Sequence, residues 1–206
     1  MLEFSKDKYS KNKNVEFIKS DSIEYLENTT EKFDFIYSLW SFSHSTHQIL
    51  TKKSLEKGMI FLKKVISKVI IENMKKGSYF YLVHFDSMSD EQTILLKQWR
   101  KVFPIFRDVS KQSPSKLLMD QVCNELLSEH IIDFETQHFV GEPIEYGSIN
   151  EALEVFLNFH MESYFNESDD VEEIINELSN YFENFREESG KISIKPGCFI
   201  YKIRRL

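Results

Sequence analysis

The sequence predicts an α/β domain in which a mostly parallel sheet is flanked by helices, and three observations carry that prediction. Phe33 to Trp40 is almost continuously apolar and aromatic, as befits a strand covered on both faces. Tyr79 to Phe85 repeats that character and ends at Asp86. Between them, from Ser54 to Lys76, Leu55, Met59, Leu62, Ile66, Val69 and Met74 recur three or four apart and draw one apolar stripe along a long helix. A strand, a helical crossover and a second strand make a right-handed parallel unit.

The remaining elements follow in order. Residues 2–11 carry Leu2, Phe4 and Tyr9 among charges and read as a helix that needs an apolar neighbour to persist. Val15-Glu16-Phe17-Ile18 alternates apolar and polar positions, predicting a short strand that delivers Asp21 to its carboxyl end. Residues 22–28 read as a weak helix. Lys75 and Lys76 suit the negative end of the long helix, and Gly77 suits its cap. Ser89-Asp90-Glu91-Gln92 is a capping box that opens a helix carrying Ile94, Leu95 and Trp99 toward Phe103, with Pro104 at its stop. Ser113-Pro114 opens another helix to about Ser128, and Ile131 to Val140 reads as a strand.

Ser148-Ile149-Asn150-Glu151 is a second capping box. Two amphipathic helices are expected near 149–165 and 170–187, the second with Ile174, Leu178, Tyr181 and Phe185 on one face. Pro196-Gly197 then turns the chain between Ile192-Ser193-Ile194 and Phe199-Ile200-Tyr201-Lys202-Ile203, predicting a C-terminal antiparallel hairpin. No repeat or linker divides the chain. Residues 1–206 therefore read as one domain, with 113–187 a helical insertion or cap within it.

Composition excludes several classes of function. A net charge of −7 argues against a surface that neutralises many phosphates, and so against a nucleic-acid partner. No run approaches the roughly 20 apolar residues of a membrane span, and the first eight residues lack a signal-peptide core. Cys123 and Cys198, far apart and without metal-type spacing, fit a reducing compartment; a cytoplasmic protein is the expectation. His44 and His47 stand three apart with no further ligand at sensible spacing, so no metal is expected.

The succession Met1-Leu2-Glu3-Phe4-Ser5, Val15-Glu16-Phe17-Ile18-Lys19-Ser20-Asp21 and Phe33-Asp34-Phe35-Ile36-Tyr37-Ser38 resembles class I S-adenosylmethionine-dependent methyltransferases read from the end of their second strand onward. Lys75-Lys76-Gly77-Ser78-Tyr79-Phe80 and the terminal hairpin extend the likeness over nearly the whole chain. Each motif is loose alone; their order and spacing carry it. The resemblance implies a Rossmann-like fold, S-adenosylmethionine as cofactor and a transferase activity. It places Met1 after the ribose-binding acidic residue, Asp21 beside the adenine amino group, and Ser22 and Ile23 near the ring. Ser38, Leu39 and Trp40 fall at the carboxyl end of the family's fourth strand, where ligands of open α/β sheets bind. Without the resemblance, Asp21 reads as a solvated strand end, and Leu39 and Trp40 as plain core.

The stretch Trp40 to Gln48 is dense in polar and aromatic groups for a connection between buried elements, and it is expected to form the acceptor side. Phe42 and His47 are its substrate-binding candidates. His44 is the candidate for taking a proton from an amine or hydroxyl, against the competing reading of a hydrogen-bonded structural histidine. Methyl transfer also proceeds with little more than an in-line nucleophile. Phe156, Phe159, His160 and Tyr164 could roof a pocket, but such stripes more often form core. A small-molecule acceptor is expected, because the chain shows neither a basic stripe nor an appended recognition domain.

One departure from the family matters. Gly58, Gly77, Gly141, Gly147, Gly190 and Gly197 stand singly, and none opens a helix as a nucleotide loop would. The family's first strand, first helix and second strand, a unit of about 30 residues or more, would lie before Met1. The N-terminal strands and first helix are thus missing, and residues 33–39 would expose an apolar edge. Either Met1 is internal to a longer reading frame and the domain is truncated, or the chain is a non-catalytic subunit or one completed by a partner. Economy favours the first. A protein-interaction module built on the acidic helices near 149–187 is the reading from another class.

Overall fold

The computed structural model describes residues 2–9, 11–102, 104–106, 112–160 and 171–206. Its elements run α1 (Leu2–Lys8), α2 (Ser22–Asn28), β1 (Phe33–Leu39), α3 (Ser41–Lys53), α4 (Leu55–Lys68), β2 (Met74–Phe85), α5 (Asp90–Val102), α6 (Pro114–Ser128) and β3 (Ile132–Val140). A short β4 (Ile144–Tyr146), α7 (Ile149–Val155), α8 (Val171–Phe182) and β5 (Ile192–Ile194) precede β6 (Gly197–Arg205). The main sheet has the order β1-β2-β6-β3, with β1 and β2 parallel and β6 antiparallel to both of its neighbours. The α/β class is the one the sequence predicts, and no described helix is long and apolar enough to cross a membrane.

Alternation along the strands decides what is buried. In β2, Phe80, Leu82 and His84 are buried, whereas Tyr79, Tyr81, Val83 and Phe85 are half-buried on the other face. The buried face joins Tyr201 and Ile203 of β6 and packs against Ile23 of α2, Leu50 of α3, Leu62 of α4 and Leu118 of α6. A second core, separate from the first, joins Ile94, Leu95 and Trp99 of α5 to Phe156, Ile174, Leu178 and Phe182, closed by Ile192 and Ile194 of β5. Residues of the expected 113–187 insertion divide between them: α6 and β3 belong with the main sheet, and β4, α7 and α8 build the second core.

Several expectations are corrected. Residues 15–20 form no strand. Among the described residues β1 pairs only with β2, so that segment finds no row of backbone partners on the outer side of β1. Nor is β1 covered on both faces: Phe35, Tyr37 and Leu39 are 53%, 65% and 54% exposed, because the helices of the main core lie on the opposite face. The stretch 41–48 is no loop but the first turns of α3.

Lys75, Lys76 and Gly77 do not end a helix. After α4 the chain widens into a π-helical turn at Val69–Asn73 and enters β2 at Met74. Asn73 Nδ2 donates to the carbonyls of Thr29 and Glu31 at 3.1 and 2.8 Å, and Lys68 Nζ to that of Thr29 at 2.7 Å, binding this junction to the approach to β1. Met74 pairs with Phe33 and Tyr79 with Phe35, so the residues between bulge out, with Gly77 at φ 81°.

The terminal hairpin is also absent. β5 pairs with β4, while β6 enters the main sheet between β2 and β3. Ile192 and Ile194 belong to the second core and Tyr201 and Ile203 to the first, so Pro196-Gly197 hands the chain from one sheet to the other.

A polar cluster lies within the main core. His84 Nδ1 donates to the Phe85 carbonyl at 2.7 Å, which leaves Nε2 to accept from the Ser115 hydroxyl at 2.8 Å. Nearby, the buried Lys116 pairs with Asp120 at 2.6 Å, and the Tyr201 hydroxyl donates to the same carboxylate. Burial pushes the His84 pKa down from 6.5 to about 4.

Candidate functional site

Helix α3 borders two cavities, and its period decides which side chain lines which. At about 100° per residue, Ser41 and Ser45 share one side, while His44, His47, Gln48 and Thr51 form a stripe on another. Trp40 starts the helix in the left-handed region at φ 64°, a rare conformation for a bulky residue. Its N–H donates to the Val83 carbonyl at 3.2 Å, so the β1–β2 pairing holds the turn.

The first cavity, about 240 Å³, opens beside the carboxyl end of β1 and is lined from α2, β1 and α3. Its walls are mostly apolar, among them Ile23, Leu26, Ile36 and Phe42. Two hydroxyl pairs punctuate them: Ser22 donates to Ser45 at 2.9 Å, and Ser38 and Ser41 lie 3.0 Å apart. The structure thus brings together Ser22, Ile23, Ser38 and Phe42. Phe42 is a buried wall whose ring stands 6.3 Å from that of His84.

Other expected members lie elsewhere. Leu39 and Trp40 are 54% and 42% exposed and line neither cavity; the Trp40 ring packs on Phe85 at 4.9 Å. Asp21 is an exposed N-cap, its Oδ1 accepting from the N–H groups of Ile23 and Glu24 at 2.9 and 3.1 Å. Asp21-Ser22-Ile23-Glu24 is itself an acidic cap followed by Glu three residues on, a signal that identifies the helix start without a strand before it. Met1 lies outside the described residues, as does Tyr164.

The second cavity, about 170 Å³, lies between α3 and α5. His44, His47, Gln48, Thr51 and Lys52 face Trp99 and Phe106 across it. The His44 ring is edge-on to Phe85 at 5.7 Å and lies 6.3 Å from Trp99. His47 stands edge-on to Phe106 at 4.7 Å. Burial lowers the pKa of His44; for His47 burial, followed by His84 and His44, holds it well below the usual range. Both imidazoles are therefore neutral at pH 7. His47 Nε2 and Trp99 Nε1 are buried without a hydrogen-bond partner among the described residues.

Ser41 and Ser45 were anticipated only as part of the acceptor stretch 40–48, and Trp99 and Phe106 were not anticipated as site residues. The helical spacing of 41–51 was the available signal for the serines. Trp99 and Phe106 arrive from a distant segment and carry no local one. Among the described residues no cluster of three or more His, Cys, Asp or Glu side chains could hold a metal ion.

No family model matches the chain, and no curated protein does. Solved structures do. The YcgJ protein of Bacillus subtilis is 18% identical with a TM-score of 0.52, the match covering 100% of this chain and 79% of that one. The BH2331 protein of Bacillus halodurans C-125, which carries a provisional methyltransferase assignment, is 16% identical over 98% of this chain and 78% of that one, with a TM-score of 0.47. A loganic acid methyltransferase solved with SAH is 12% identical over 92% and 58%, with a TM-score of 0.34. The likeness to the YcgJ protein shows a shared fold, and at this identity the fold alone.

Proposed function

We propose that the chain engages S-adenosylmethionine at the cavity beside β1 and serves methyl transfer to a small-molecule acceptor. The observation that carries this reading is the convergence of Ser22 and Ile23 of α2 with Ser38 of β1 on one cavity, tied to α3 by the Ser22–Ser45 hydrogen bond. Ligands of open α/β sheets bind at strand carboxyl ends, which is where this cavity lies.

The residues present fit the adenine end of the donor. About 240 Å³ is below the roughly 300 Å³ at which pockets for whole cofactors begin, yet it admits a planar ring between Ile23, Leu26 and Ile36. Asp21, beside Ser22, caps α2 through Oδ1 and does not line the cavity, so the adenine end is held by Ser22 and the apolar walls. Among the described residues no carboxylate lines the cavity to hold a ribose. When bound, the sulfonium supplies an electrophilic methyl group. The chain's part is to hold the adenine, and to offer His44 as a neutral imidazole that takes a proton from the acceptor. Phe42 contributes a wall of the same cavity.

A second reading has its own observation. β1 has one ladder neighbour among the described residues, and Phe35, Tyr37 and Leu39 beside that open edge are exposed. These features favour a methyltransferase-like subunit completed by another chain. Calorimetry with S-adenosylhomocysteine tests the first reading. Binding that is lost in Ile23→Trp, which fills the cavity, supports it, and no binding to the folded wild-type chain refutes it. Light scattering on the same sample decides whether a stable monomer exists without a partner.

A further inference from the structure

Resting on the reading of a subunit completed by another chain, we infer that the outer edge of β1 takes up one extended strand of a partner protein, with a bulky aliphatic side chain at every second position. The backbone comes first. Trp40 N–H donates to the Val83 carbonyl of β2, and successive residues of a strand present their N–H and C=O groups to opposite edges. Ser38 and Ile36 therefore bond β2. Leu39, Tyr37 and Phe35 point theirs outward, where no neighbouring strand receives them among the described residues. An extended backbone is what pairs with such a row in register.

Nothing on the strand itself blunts this edge. Natural edge strands are protected by proline, by unpaired charge or by a covering segment. Phe33–Leu39 contains no proline or lysine, and its one charge, Asp34, is held by Lys75 at 2.8 Å. On the face away from the helices, the exposed Phe35 ring stands 6.0 Å from Tyr37 and 5.5 Å from Tyr81, an aromatic surface that runs to the edge. β-Branched residues of an added strand pack well on such rings.

The other face fixes the chemistry of the strand. Beside Ile36, the cavity of about 240 Å³ is walled by Ile23, Leu26, Phe42 and Phe80, and it exceeds the roughly 150 Å³ that holds a benzene ring. A strand laid about 4.8 Å outside β1 directs every second side chain to this face, and a leucine-sized group enters the cavity. Paired antiparallel about a two-fold axis, a second copy of β1 presents Asp34, Ile36 and Ser38 there, setting a carboxylate and a hydroxyl against an apolar wall. The partner is therefore a foreign strand, aliphatic at alternate positions.

The test is fluorescence anisotropy of the full chain with a labelled peptide of alternating leucine and threonine, seven residues long like β1 and closed by a lysine at each end. The peptide binds, and serine in place of leucine weakens binding about tenfold or more. Methylating the backbone nitrogens of the leucines, or separately those of the threonines, blocks one edge of the peptide and spares the other. One series therefore loses about tenfold or more in affinity and the other keeps it. Where S-adenosylhomocysteine binds, it displaces the peptide, since both enter one cavity. No binding of the parent peptide, equal binding of the serine peptide or of the two methylated series, or simultaneous binding of peptide and nucleoside would each overturn the inference. Light scattering on the same protein separates the two claims. If the peptide is silent and the chain associates, completion by another chain stands and the strand falls; if the peptide is silent and the chain is a stable monomer, both fall.

Discussion

His84 ties the stability of the main core to pH. Its ring is 1% exposed, with Nδ1 on the Phe85 carbonyl and Nε2 on the Ser115 hydroxyl, and burial is what favours the neutral ring. Protonation would put a charge into this desolvated site near Lys116, with the Phe85 carbonyl, Asp120 and Asp86 offsetting only part of the cost. The folded pKa of about 4 lies below the unfolded value of 6.5, so between these the unfolded chain binds more protons. The stabilisation is complete above pH 6.5, shrinks as pH falls, and is gone below about pH 4.

Its full size is about 3 kcal/mol, and about 2 kcal/mol is lost between pH 7 and pH 5. His84→Gln keeps a hydrogen-bonding side chain and removes the titration. Urea unfolding of both proteins at pH 7 and pH 5 makes the comparison, since other titrating groups contribute equally to each. Wild type should lose about 2 kcal/mol more than the variant over that interval. Equal losses would refute the reasoning, because His84 would then accept a proton in the folded core without penalty.

Two further outcomes follow from the packing. A Cβ at Gly58 would sit 2.8 Å from Leu50 Cδ2 and 3.0 Å from Leu50 Cα, so Gly58→Ala must part α3 from α4. The strain of about 1–3 kcal/mol exceeds the roughly 1 kcal/mol gained in helix propensity, and thermal melting should show a net loss; an unchanged or higher Tm would show that the helices are not in contact there. Asp21→Ala removes the cap of α2 and should cost about 1 kcal/mol in urea unfolding, with Asp21→Asn close to wild type. A loss as large in the Asn variant would mean that the carboxylate charge, not the cap, stabilises this end of the helix.

What the sequence determined by itself are the features set by local period and by turn chemistry. The apolar runs 33–40 and 79–85 became β1 and β2, paired in parallel, and the stripe from Leu55 became α4. Ser113 and Ser148 cap α6 and α7 where their motifs predicted. Ser22, Ile23 and Ser38 were grouped only by the resemblance to methyltransferases, and they line one cavity.

Tertiary structure decided the rest, because burial and pairing depend on neighbours that no local window contains. The alternation at 15–18 yields no strand without backbone partners, whereas Tyr201 and Ile203 lie in a strand paired on both sides. Ile192 and Ile194 carry the period of a hairpin arm, yet their apolar side chains are claimed by the second core, and β5 goes with them. The same holds for the site. His44 and His47 were visible as residues, but the cavity they line exists only because Trp99 and Phe106, more than 50 positions on, close its other side.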